Sequence, residues 1–280
     1  MSVIAALDDT YQISNQQIAQ YQRDGFILLR QVCTKEELES YRRAITALVE
    51  AYAAKRQALS ERDTYGKAFL QIGGLWQRDQ LVRKFVLAKR FSAIAAALSQ
   101  SPAMRLYNDQ ALYKERGGGL TPWHQDHYYW PLDTRQAITM WMPMVDASEE
   151  MGTMSFAAGS HKHGHLKPIH ISDASEDYFN NYLAEQGFNI YNSGDLKAGD
   201  ATFHNGWTLH RAGPNLTDRM REVMTVIYYP DGTRLLQPEY EHRQIDFDFF
   251  FKGMKPGDLA ANEGTPVVYT GRNGLREKRE

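Results

Sequence analysis

Residues 122–133 read PWHQDHYYWPLD, a run in which two histidines and Asp126 lie among six aromatic or proline positions. Read as a strand from Trp123 to Tyr128, it alternates faces. His124 and Asp126 then project to one side, Trp123 and Gln125 to the other. One imidazole and one carboxylate on a shared face can begin a metal site, or can be a hydrogen-bonded surface pair. The pair by itself does not choose.

The surrounding sequence sets the fold. From Met104 onward short apolar runs alternate with turn residues: Arg105–Lys114, the glycines 117–119, Pro122–Trp130, Ala137–Val145, Asp200–His204, Trp207–Arg211 and Val223–Tyr229. Strands this short and this regularly spaced predict a β-sandwich or barrel. The first hundred residues differ. Ser14–Gln22 is helix-prone and stops at Asp24-Gly25, and Phe26–Leu29 reads as a short buried strand. Thr34 and Glu37 form a capping box for a helix with apolar Tyr41, Ile45, Leu48, Val49 and Tyr52. Gln80–Leu98 predicts one further helix. Helices first and strands after mark an α+β chain with no βαβ alternation. The expected division is a helical scaffold over about residues 12–103, a barrel over about 104–232 and an extension over 233–280. All three belong to one domain.

Composition narrows the partners. Lys and Arg number 32 against 34 Asp and Glu in 280 residues, so no net field recruits nucleic acid or an anionic membrane. A small molecule is the expected partner. No apolar run approaches the roughly 20 residues a bilayer requires, and MSVIAALDDTYQ lacks a secretory core. With Cys33 as the only cysteine, a reducing, cytoplasmic setting is expected. A monomer and a homodimer are both open.

A third ligand would turn His124 and Asp126 into a facial triad of two histidines and a carboxylate, the set used by non-haem Fe(II) oxygenases. GDATFHNGWTLHRAGPN (199–215) supplies two candidates, His204 and His210, and spacing does not separate them.

Taken together, WHQD (123–126), AAGSHKHG (157–164), the 199–215 run and RMREVMTVIYYPDG (219–232) resemble the phytanoyl-CoA dioxygenase family of Fe(II)- and 2-oxoglutarate-dependent oxygenases. The likeness extends from Asp24-Gly25-Phe26 to Gly232. It implies a double-stranded β-helix, a jelly-roll or cupin-like barrel flanked by N-terminal helices. It implies Fe(II) on His124, Asp126 and His210, with 2-oxoglutarate and O2 as cosubstrates. It also assigns the 2-oxoglutarate carboxylate to Arg221, where a planar fork suits a carboxylate better than an ammonium does. Arg219 is the local competitor, and alternation puts both on the same face of a strand. Trp141, Gln110 and Gln71 match positions near the cosubstrate in relatives. Ala212 stands where relatives often carry a serine, so one cosubstrate contact is missing.

Because Asp126 is retained, hydroxylation is the default over halogenation, while epimerisation, desaturation and ring closure use the same ligands. Trp123, Tyr128, Tyr129, Trp130 and Trp207 suit an apolar or polycyclic substrate such as a natural-product intermediate; an acyl-CoA is the alternative. A zinc hydrolase on the same three ligands and a non-catalytic cupin-like module are readings of other classes. His161, His163 and His165 read as a loop, His127 as facing away from Asp126, and the segment 172–194 as an insertion over the barrel able to act as a lid. The glycines 117–119 read as a flexible link, since no phosphate-loop Lys-Ser/Thr follows.

Overall fold

Local chemistry sets the first elements of the computed structural model, which describes residues 6–62 and 64–271. Helix α1 (Asn15–Asp24) is capped by Ser14, whose hydroxyl accepts from the Gln17 amide at 3.2 Å, and it ends at Gly25 with φ +83°. Strand β1 (Phe26–Leu29) follows, and then α2 (Lys35–Ala53), where Thr34 and Glu37 each accept from the other's amide. Helix α3 (Thr64–Ala68) and strand β2 (Leu70–Gly73) come next. Gln80–Leu98 is two helices instead of the expected one, α4 (Gln80–Val86) and α5 (Lys89–Ser99). Tertiary partners explain the break. At the start of α5 the Arg90 amide donates to Leu7 O, and its guanidinium binds Asp9, Glu37 and Val32 O.

The remaining strands are β3 (Ala103–Tyr113), β4 (Thr121–His124), β5 (Leu132–Asp133), β6 (Ile138–Pro143), β7 (Met154–Ala157), β8 (Ile190–Asn192), β9 (Ala201–Asn205), β10 (His210–Ala212), β11 (Val223–Pro230), β12 (Arg234–Leu235) and β13 (Val267–Thr270). Helices α6 (Asp173–Gln186) and α7 (Glu241–Phe250) complete the set among the described residues. All pairings are antiparallel. The major sheet runs β1-β9-β6-β11-β3-β13, with β2 also on β3, and the minor sheet runs β4-β10-β7-β8. This is the double-stranded β-helix. The major sheet takes β1 and β2 from the helical region and β13 from the extension, so those stretches complete the barrel.

Period-two alternation divides the major sheet. Ile138, Met140 and Met142 of β6 and Met224, Val226 and Tyr228 of β11 pack outward with Leu38, Ile45, Phe85 and Phe91 of the helices. The alternate residues, Thr139, Trp141, Thr225 and Ile227, face the interior cavity. Where the sheets close on each other, Phe26, Trp141, Met154, Phe156, Ala212 and Val223 share one buried cluster. Against β11 the register breaks once on β3. Leu106 pairs Tyr228 and Asn108 pairs Ile227, so Tyr107 is an extra, bulged residue, and both Tyr107 and Asn108 face the cavity.

No residue of the segment 172–194 lines the cavity. Its helix α6 packs on β4 outside the minor sheet, where Glu176 accepts from the Trp123 amide and Asn180 from the Trp123 indole. The C-terminal α7 instead brings Asp246, Phe249 and Phe250 to the cavity. Among the described residues no helix is long and apolar enough to cross a membrane. The charged tail after Gly271 lies outside the described residues.

Candidate metal centre and anion pocket

The strand carrying His124 stops there, because Asp126–Tyr128 winds into a 3-10 turn. Simple alternation therefore does not bring His124 and Asp126 together; a strand end followed by a tight turn does. Cross-strand pairing adds His210, which lies opposite His124 between β10 and β4 with ring centroids 4.1 Å apart. The nitrogen or oxygen donors of His124, Asp126 and His210 lie within 4.8 Å of one another. Each Nε2 is 3.5 Å from Asp126 Oδ1.

Backbone carbonyls set the tautomers. His124 Nδ1 is 2.7 Å from Pro122 O and His210 Nδ1 is 2.9 Å from Thr208 O. A carbonyl only accepts, so both Nδ1 atoms carry hydrogen and both Nε2 atoms present lone pairs to the centre. Burial, reinforced by His124 alongside, holds His210 well below the ordinary imidazole range. For Asp126 burial pushes upward, yet His210, His124 and His204 outweigh it and hold the carboxyl well below its ordinary range. His204 has another place. Its Nε2 is 3.2 Å from Asp126 Oδ2, and the Thr139 hydroxyl donates to the same oxygen at 2.9 Å. The two fix the carboxylate's outer oxygen and leave Oδ1 facing the imidazoles. Thr139 pairs His204 across β6 and β9, a relation that becomes visible only with the register.

Farther along the same cavity, of about 460 Å³, lies Arg221. It is buried, bridges Lys114 through the backbone, lies 5.3 Å from the Trp141 ring centre and donates from one terminal nitrogen to Gly152 O. Among the described residues no carboxylate pairs with it, and its Nε has no partner. Burial pulls this guanidinium down to about 9. Lys114 is buried beside it and donates to Gly119 O, Thr121 Oγ1 and Gly213 O. Those bonds, with Gly117 N to Asn215 O and Gly119 N to Lys67 O, anchor the glycine run, which is not the free link expected. An uncompensated buried cation is costly and invites an anion.

Gly152, whose carbonyl orients Arg221, has φ +81°, and a Cβ there would lie 2.1 Å from Gly213 O. Gly152→Ala is therefore expected to cost about 2 kcal/mol or more, read as a lower urea midpoint, since both backbones would have to move.

His124, Asp126, His210, Arg221, Trp141, Gln110 and Gln71 all line this cavity. Arg219 does not share a face with Arg221; it sits exposed in the turn before β11. Of the expected aromatics only Tyr129 and Trp130 reach the cavity. Trp123 packs on α6, Tyr128 stacks on Tyr240, and Trp207 lies against His127 with the rings tilted. His127 faces away, bonded to Leu132 O at 2.8 Å and pushed by burial down to about 3. His161 and His163 bond separately to Gln22 O and the Tyr182 hydroxyl. Thr139, Tyr107, Asn108 and Asp246 are cavity residues that sequence reasoning missed. The first three needed the sheet register and Asp246 a distant helix.

Residues 21–223 match the sequence profile described as Phytanoyl-CoA dioxygenase (PhyH). The chain belongs to that family. As a phytanoyl-CoA dioxygenase family member it is an Fe(II)- and 2-oxoglutarate-dependent dioxygenase. Ectoine dioxygenase of Streptomyces coelicolor is 21% identical over 266 residues, 88% of this chain and 84% of that one. The probable alpha-ketoglutarate-dependent hypophosphite dioxygenase of Stutzerimonas stutzeri is 27% identical over 131 residues, so this chain spans 45% of that relative's length. In fold the chain is similar to the carbocyclase SnoK from nogalamycin biosynthesis, with a TM-score of 0.74 and 22% identity over 96% of this chain and 100% of that one. The epimerase SnoN in complex with Fe3+, alpha ketoglutarate and nogalamycin RO has a TM-score of 0.73 at 23% identity, covering 91% and 98%.

Proposed function

We propose that His124, Asp126 and His210 hold Fe(II), that Arg221 binds the far carboxylate of 2-oxoglutarate, and that the enzyme hydroxylates an apolar or polycyclic small molecule, releasing succinate and CO2. One observation carries this reading: an acid-free buried guanidinium opens on the same cavity as two imidazoles and a carboxylate. The donor set fits the cofactors. Two neutral Nε2 donors and one carboxylate oxygen suit a divalent iron and leave positions open. A zinc hydrolase would have no use for the anion pocket.

Bound iron, with 2-oxoglutarate and O2, supplies the oxidising power for C–H cleavage and couples it to decarboxylation. The chain supplies position and shelter. The carbonyls of Pro122 and Thr208 hold the imidazole tautomers, and His204 with Thr139 restrains Asp126. Arg221, turned by Gly152 O and flanked by Trp141, offers a fork to the cosubstrate carboxylate, with the Gln110 and Gln71 amides on the same wall. Tyr129, Trp130, Ile171 and Ile227 contribute an aromatic and aliphatic wall that excludes water around the reacting C–H bond. That SnoK and SnoN come from nogalamycin biosynthesis is in line with a natural-product substrate.

Anaerobic titration tests the reading. Fe(II) and 2-oxoglutarate together are expected to give a visible charge-transfer absorption that neither gives alone and that zinc in place of iron does not give. No band with both present, or no succinate when air is admitted, would sink the proposal. A metabolite panel scored by succinate release then identifies the substrate.

A further inference from the structure

We propose that Asp246 and the aromatic rings around it form a subsite for a cationic nitrogen of the substrate, so that the molecule oxidised is an amine bound in its ammonium form. This rests on the reading of the metal end given above.

Asp246 belongs to α7, in the extension that carries no motif, and it lines the cavity. It accepts one hydrogen bond, from the Tyr107 hydroxyl at 2.7 Å. Among the described residues that line the cavity, the acidic ones are Asp126 and Asp246. Among the described residues no cation lies within ion-pair distance of it. Neither nearby arginine pairs with it: Arg243, one turn earlier on α7, donates from a terminal nitrogen to His127 O, lies 4.6 Å from the Tyr240 ring centre and keeps its Nε without a partner, and Arg211 binds Glu176.

The backbone is arranged to make this contact. Tyr107 is the bulged residue of β3, which turns its ring into the cavity where regular pleating would turn it toward the helices. Trp130 and Phe250 stand 5.6 and 4.6 Å from that ring. A carboxylate beside aromatic faces matches an ammonium group, which gains from both the charge and the ring quadrupoles. A neutral hydroxyl would leave the carboxylate's charge uncompensated.

The location also suits substrate rather than cosubstrate. Thr139, the partner of Asp126, lies in one cross-strand row with Ile227 and Asn108, next to Tyr107. Lys114, the backbone partner of Arg221, is seven residues farther along β3 and its continuation, roughly 20 Å at strand spacing. A nitrogen held on Asp246 would thus stand at the metal end, away from the proposed carboxylate site. Burial lifts the Asp246 carboxyl to about 6, against the Tyr107 bond that lowers it, so it is still mostly charged at neutral pH.

Benzylammonium and benzyl alcohol, nearly equal in shape, test the subsite by anaerobic calorimetry on the Fe(II)·2-oxoglutarate enzyme at pH 7.5. The cation is expected to bind at least about tenfold more tightly than the alcohol, and Asp246→Asn, which keeps the shape, to erase the difference. Equal binding of the two probes, no detectable binding of benzylammonium, or a preference surviving in Asp246→Asn would overturn the proposal. If the variant does not fold, the wild-type comparison decides alone. The visible absorption of the wild-type samples is read alongside. Its absence sinks the oxygenase reading, whereas its presence without a preference for the cation sinks only the amine subsite.

Discussion

His210→Ala is expected to reduce Fe(II)-dependent succinate formation to the assay background, with loss of the visible absorption that Fe(II) and 2-oxoglutarate give together. His210 Nε2, His124 Nε2 and Asp126 Oδ1 are the three clustered donors, and the His210 tautomer is held by Thr208 O, while the neighbouring His204 is turned to Asp126 Oδ2. The informative control is His204→Ala. The family resemblance passes over His204 in favour of His210, and on that reading its loss should spare most activity. Its hydrogen bond to Asp126 Oδ2 changes that expectation to a weakened iron affinity of about 10- to 100-fold, with activity returning at high Fe(II). Comparable, unrescued losses in both variants would mean that His204, too, binds the metal. A sparing of activity in His210→Ala would remove the proposed triad.

The second large effect concerns Arg221. Arg221→Met, close in length but uncharged, is expected to raise the 2-oxoglutarate concentration for half-maximal rate on the order of 10²- to 10³-fold, since losing one partner of a buried charge pair costs about 2–5 kcal/mol. Stability should move the other way. In the cofactor-free protein Arg221 is a buried cation with a single carbonyl partner and no carboxylate, so its replacement by an apolar side chain should leave the melting temperature unchanged or raise it. A large fall in melting temperature would make Arg221 a structural residue. An unchanged cosubstrate dependence would move the anion site elsewhere, and exposed Arg219 is poorly placed to receive it.

What can be read from residues alone and what cannot divides along physical lines. Capping by Ser14 and Thr34, termination at Gly25, the strand at Phe26–Leu29 and the apolar alternation of β6 and β11 are local signals, because a cap or a pleat involves residues a few positions apart. The resemblance carried His124, Asp126, His210 and Arg221 because these stand in short motifs at fixed spacing. Local signals failed where a distant partner outweighed them. Leu7, Asp9 and Glu37 reorganise the start of α5 around Arg90, and β4 ends at His124 where alternation predicted that it would continue. The place of α6 was not legible because its own polarity does not say that Trp123 will anchor it outside the minor sheet. By itself the sequence determined the α+β class, the motifs that carry the proposed metal ligands and the balanced charge that points to a small-molecule partner. Only the tertiary structure decided that His204 restrains Asp126, that a bulge turns Tyr107 inward, and that α7 brings Asp246 to the cavity. Each of those contacts joins residues 78 to 139 positions apart or depends on a strand register, and no local pattern encodes such a distance.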